Sequence, residues 1–233
     1  MKKMFLLMTM AFAYQLVAQD TKEVQYGAYL MNSKAMWKQS VRLAEVAHGK
    51  ESFDVAMARY GLLNNTMAEK DEETFDEYID DTIDLLKTLI GNHPDDGEPK
   101  AVLSSIYGLV IAYSPMKGII YGAKGSSLMD EALEKDPQSA LVQKLYASSK
   151  LYTPSMWGGN PEKAVTSFEL AVSLYEASSI ENSWEYLDAL MGLALAYKAT
   201  DRMDLAKSTL EKLIEIEPAH RWAQVVYASS DKE

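Results

Sequence analysis

The sequence predicts an all-α protein built of antiparallel helical hairpins. Long glycine-poor runs rich in Ala and Leu alternate with short clusters of Pro, Gly, Asn and Asp. Within the runs apolar residues recur every three or four positions, and no stretch alternates as a strand would. The connections are short, which makes successive helices antiparallel neighbours. With 233 residues, 48% hydrophobic and 24% charged, the chain can bury a real core and is not disordered.

Turn signals divide the chain into about ten helices. They fall near Gly49, near Lys70-Asp71, at GNHPDDGEP (91 to 99) and at SPMKG (114 to 118). Others are KDPQ (135 to 138), TPSMWGGNP (153 to 161), SSIENS (178 to 183), TDR (200 to 202) and EPAH (217 to 220). The block LMGLALAYKATDRMDLAKSTLEKLIEIEP, 190 to 218, is the most informative. Ala194 and Ala206 are small where two helices would cross, Leu193, Tyr197 and Leu210 fill the space around them, and Pro218 closes the second helix. This spacing resembles the tetratricopeptide repeat, with Leu190 and Leu213 as departures.

The second-helix pattern recurs upstream. Thr82, Leu86, Leu89 and Pro94 make one copy, then Gly125, Met129, Ala132 and Pro137, then Ala164, Phe168, Ala171 and Glu176. The small anchors at 82, 125, 164 and 206 lie 43, 39 and 42 residues apart. A family repeat is about 34 residues, so every interval carries an insertion. The insertions fall near YSPMKGIIYG, YTPSMWGGN and EASSIENSW. The resemblance implies a right-handed superhelical array of stacked hairpins. It covers about residues 60 to 220, within an expected repeat domain of residues 61–233, with 19–60 as capping helices that contact it through Met36, Trp37 and Val41.

The segment MKKMFLLMTMAFAYQLVAQD has a charged start, an apolar run and small residues near Ala18. This is the layout of a secretory signal peptide over 1–18, cleaved to leave Gln19, and its apolar run is too short to span a bilayer. A bacterial periplasmic or secreted protein is expected, without a stable membrane anchor after cleavage. The sequence holds no cysteine, which removes disulfides, Cys-based metal sites and a lipidated cysteine. Net charge is −11, so nucleic acid and anionic membranes suit the chain as a whole poorly, and a neutral or basic protein or peptide suits it better.

Chemistry for catalysis is scarce. His48, His93 and His220 lie far apart beside turns, and His48 and His220 read as exposed helix-end residues. SPMK lacks the companion motif of Ser-x-x-Lys enzymes, and AKGSS (123 to 127) lacks the glycine spacing of a phosphate loop. No cofactor or metal is expected. Glu73, Asp76, Glu77, Asp80 and Asp84 share one helical face and read as a solvated surface, opposite core residues Phe75, Ile79, Ile83 and Leu86.

The leading reading is a non-enzymatic scaffold that takes a protein or peptide in its concave groove. The resemblance places the groove face of the last repeat on Asp188, Met191, Leu195 and Lys198. A small-molecule or glycan binder is the alternative, with Tyr113, Tyr121, Tyr152 and Trp157 gathered as an aromatic platform. Exported repeat proteins similar to this one carry a comparable aromatic-Gly-Gly loop before a Lys-Ala helix start, a likeness that implies no activity. In TPSMWGGNP, Pro154 should end one helix and Pro161 begin the next behind an Asn160 cap, with both glycines at positive φ. Trp157 is expected to fold back as a wedge between repeats; the other reading makes it, with Tyr152, a contact on the groove rim.

Overall fold

The computed structural model describes residues 21–178 and 180–230. Among them are eleven helices and no strand. Helix α1 covers 21–30, and then come α2 (Lys34–His48), α3 (Phe53–Glu69), α4 (Glu72–Asn92), α5 (Gly97–Tyr113) and α6 (Gly118–Lys135). The series continues with α7 (Ala140–Tyr152), α8 (Pro161–Glu176), α9 (Trp184–Ala199), α10 (Met203–Ile216) and α11 (Arg221–Ser230). Single 3₁₀ turns at Pro115–Lys117 and Ser155–Trp157 join α5 to α6 and α7 to α8. The expected signal segment lies outside the described residues.

The helices begin where short polar side chains can satisfy free backbone N–H groups. Ser33, Ser52, Asp71, Asp96, Ser139, Asn160 and Ser183 each accept a bond from the first turn of the helix they cap. A break at residues 31–33 adds to those expected, with Asn32 at φ 47° in the left-handed region that asparagine tolerates.

The chain divides into two compact units, one ending at His93 and the other beginning at Pro94. The expected boundary between residues 60 and 61 lies within α3. In the first unit α3 packs against both α2 and α4. Trp37 and Val41 of α2 are buried as expected, and the Trp37 ring lies where a Cβ on Gly61 would be 2.3 Å away, so only glycine fits that crossing. Phe75, Ile79, Ile83 and Leu86 turn inward from α4, while Glu73, Asp76, Glu77, Asp80 and Asp84 are exposed. Asp71 caps α4 and meets Lys34 at 2.6 Å; that ammonium, with Thr74, holds its carboxyl down to about 2.

In the second unit α5/α6, α7/α8 and α9/α10 are the hairpins, with α11 against α10. The first helices α5, α7 and α9 lie side by side. The Gly97 N–H at the start of α5 donates to Asp136 at the end of α6, and Ser139 before α7 donates to Glu98 in the first turn of α5. Hence α5 and α7 start at the same end of the unit, and their connections to α6 and α8 lie together at the other.

The register read from the sequence holds. Thr82, Gly125, Ala164 and Ala206 are all buried at their crossings, as are Leu86, Met129, Phe168 and Leu210 one turn later. Leu193, Ala194 and Tyr197 are buried too, and so are Leu190 and Leu213, the two departures. The Tyr197 hydroxyl donates to Glu169 of α8 at 2.6 Å, and burial with that carboxylate pushes the phenol up to about 12. Phe168 nests against Gly192, where a Cβ would be 2.4 Å from the ring.

Candidate functional site

The α7–α8 connection is a formed structure. Pro154 follows the end of α7, and Asn160 caps α8 by accepting from the Lys163 N–H at 3.0 Å, with Pro161 in its first turn. Gly158 takes φ 97°, which favours glycine, and its N–H donates to Ser155. Gly159 is needed for a different reason than expected: its φ is not positive, but a Cβ there would come 1.7 Å from the Thr153 carbonyl oxygen. The Asn160 N–H donates back to Lys150 at 2.8 Å, and the Lys150 ammonium donates to the Gly158 carbonyl. The loop therefore folds onto the end of its own helix.

The expected wedge is overturned by this geometry. Trp157 is 76% exposed, with Met156 and Tyr152 beside it in sequence also exposed. The 3₁₀ turn and the two glycines use the backbone's hydrogen bonds locally, so the indole is held outward. Of the four aromatics expected to form a platform, Tyr121 packs against Tyr107, ring centres 4.7 Å apart, with Lys124 over its face.

The residues expected to face the groove differ among themselves. Met191 is fully buried and offers no surface to a partner, because α9 is enclosed on most of its circumference. Leu195 and Lys198 are half-buried. Asp188 is tied to the preceding first helix, accepting from Lys144 of α7 at 2.7 Å. Lys144 has no exposed side-chain surface, and its ammonium also sits 4.9 Å from the Trp184 ring centre. The sequence reading missed this lysine. Its only signal was a charge inside the apolar run LVQKLYA (141 to 147).

His220 also departs from expectation. It is buried, caps α11 by accepting the Ala223 N–H on Nδ1, and burial holds its imidazole below the ordinary range. His48, in the last turn of α2, is half-buried with Nδ1 3.5 Å from Asp54, and His93 is exposed after α4. One shallow depression is lined by Asp96, Glu98, Asp136 and Ser139, where burial raises the Glu98 carboxyl against the opposing Ser139 hydrogen bond. Among the described residues no three His, Cys, Asp or Glu side chains are grouped to hold a metal, and no helix is long and apolar enough to cross a membrane.

Comparison with known proteins agrees with the hairpin register. A family model described as tetratricopeptide repeat matches residues 187–220, the α9/α10 hairpin and its closing turn. The chain has a tetratricopeptide-like fold. A thermophilic TPR protein of Thermus thermophilus superposes on 92% of this TPR-like chain and 99% of its own, with TM-score 0.60 and 20% identity. YrrB, described as a TPR protein with an unusual peptide-binding site, covers 84% of this chain and 82% of its own, with TM-score 0.44 and 14% identity. No curated protein matches the sequence.

Proposed function

We propose that this TPR-like chain is a non-enzymatic scaffold of the bacterial cell envelope that takes up a protein or peptide partner. The observation that carries the reading is the side-by-side packing of α5, α7 and α9, with the enclosed Lys144 of α7 tied to Asp188 of α9. A face fixed in this way is preorganised, so a partner loses little to ordering the scaffold. Leu195 and Lys198, with Asp188, are expected groove positions of α9 that keep some exposure. The acidic balance of the chain favours a neutral or basic partner. Export by a cleaved signal peptide would place the protein in the periplasm or outside the cell.

The test is affinity capture from envelope extract with the wild-type chain and a Leu195→Arg/Lys198→Glu variant. A partner retained by the wild type and lost by the variant supports the reading. Equal capture by both, or capture of nothing, counts against it. A bound glycan or small molecule released from purified wild-type protein would favour the alternative.

A further inference from the structure

The end of the second unit that carries the α5–α6 and α7–α8 connections has a chemistry unlike the rest of the chain. On it Met116, Ile119, Met156 and Trp157 are 84%, 89%, 83% and 76% exposed, and Ile120 and Tyr152 are more than half exposed. Isolated apolar residues at a surface are ordinary, but six large ones on two adjoining tips are not. Their exposure has a structural cause. Helix α6 starts seven residues before its crossing anchor Gly125, whereas α8 and α10 start three residues before Ala164 and Ala206. The extra turn carries Ile119 and Ile120 beyond the packed crossing. The 3₁₀ turn at Ser155–Trp157 does the same for Met156 and Trp157.

The charge of this end is inverted relative to the molecule. Residues 113–124 hold Lys117 and Lys124 and no acid. Residues 150–163 hold Lys150 and Lys163 with Glu162, which is paired to Arg202 at 2.5 Å. That ion pair brings the start of α10 to the same end, where Lys198 and Arg202 balance Asp201 and Asp204. The opposite end, at the turns between hairpins, gathers Asp95, Asp96, Glu98, Asp136, Glu181 and Glu217 against Lys135, which pairs with Asp95 at 2.7 Å, and Arg221, so acids prevail there. The unit is therefore polarised, with an excess of acids at one end and an excess of lysines among apolar tips at the other.

We propose that this end is a peripheral docking surface for an anionic lipid bilayer. Aliphatic tips enter the acyl boundary, Trp157 and Tyr152 sit at the headgroup level where amphipathic aromatics are favoured, and Lys117, Lys124 and Lys150 meet the phosphates. The acids at the far end orient the unit by repulsion from the same surface. Ile119 and Met156 offer no hydrogen bond and no concave pocket, which suits hydrocarbon better than a sugar. The proposal does not rest on the groove reading, whose tested positions are Leu195 and Lys198.

Vesicle co-sedimentation tests it, with chain purified as the cell processes it. The protein should pellet with phosphatidylglycerol/phosphatidylcholine vesicles at low salt, pellet less on pure phosphatidylcholine, and release as salt rises. Brominated lipids should quench the wild type and spare a Trp157→Phe variant. Ile119→Ser/Ile120→Ser and Met156→Ser/Trp157→Ser should each weaken partition by about tenfold or more, with unchanged melting temperature. Val46→Ser, at an exposed apolar position on α2, should bind as wild type. No binding to anionic vesicles overturns the proposal, as does equal binding by wild type and both paired variants. A dimer seen by light scattering and dissolved by Ile119→Ser/Ile120→Ser would assign the surface to a second copy and overturn it too.

Discussion

Lys144 is the residue whose environment is most demanding. A fully enclosed ammonium persists because Asp188 accepts its hydrogen bond and the Trp184 ring faces it. Asp188→Ala should remove that compensation and destabilise the fold by about 3 kcal/mol, the low end for a broken buried pair because Asp188 keeps some water contact. Lys144→Met/Asp188→Leu should recover most of the loss, and urea melts of the three proteins check both outcomes. If the single and double variants are equally unstable, the pair is not what the site needs. His220 supplies a pH dependence. Burial sets its folded affinity for protons below the unfolded value of 6.5, so the unfolded chain binds the proton more readily. The contribution is complete above about 6.5 and is lost as pH falls below it, when protonation also blocks Nδ1 from accepting the Ala223 N–H. Melting temperature should fall from pH 7.5 to pH 5, and His220→Asn, which can still cap α11, should flatten that part of the fall.

At the scale of helices and loops, the sequence was most legible where packing permits one answer. Thr82, Gly125, Ala164 and Ala206 could be found by spacing because a crossing admits only small side chains, and all four are buried. Ala206→Leu should therefore overpack the α9/α10 crossing and cost about 1–3 kcal/mol. Ser208→Leu, on the exposed side of α10, should melt near the wild type; equal losses in thermal denaturation would refute the register. The break at Asn32 was missed since neither Gly nor Pro marks it, the turn being made by one left-handed asparagine. Trp157 was misread because burial of a large aromatic is the usual outcome, and the backbone bonds that hold this loop to α7 leave no trace in residue type. With the indole exposed, Trp157→Ala should change stability by no more than about 0.5 kcal/mol. Met191 was misplaced because family spacing gives the side of the helix but not how much a neighbour covers, and here α9 is covered almost all round.

The whole chain poses a question of address that none of the folded elements answers. Its net charge of −11 includes Lys2 and Lys3, and cleavage after Ala18 would move it to −13. Without cysteine, a protein sent to an oxidising compartment must hold together by packing alone, and the near-continuous burial of Ala, Leu and aromatic positions at the hairpin crossings supplies that. The same absence leaves no cysteine for a lipid anchor. In the proposed export reading, the short apolar run from Met4 to Ala13 behind two lysines would serve as the signal, and Ala18 would be the small residue at the cut. Protein recovered from the periplasm should therefore begin at or near Gln19 on N-terminal sequencing and focus at a more acidic point than the precursor. Recovery there with Met1 intact would rule out cleavage, and confinement of the chain to the cytoplasm would rule out export.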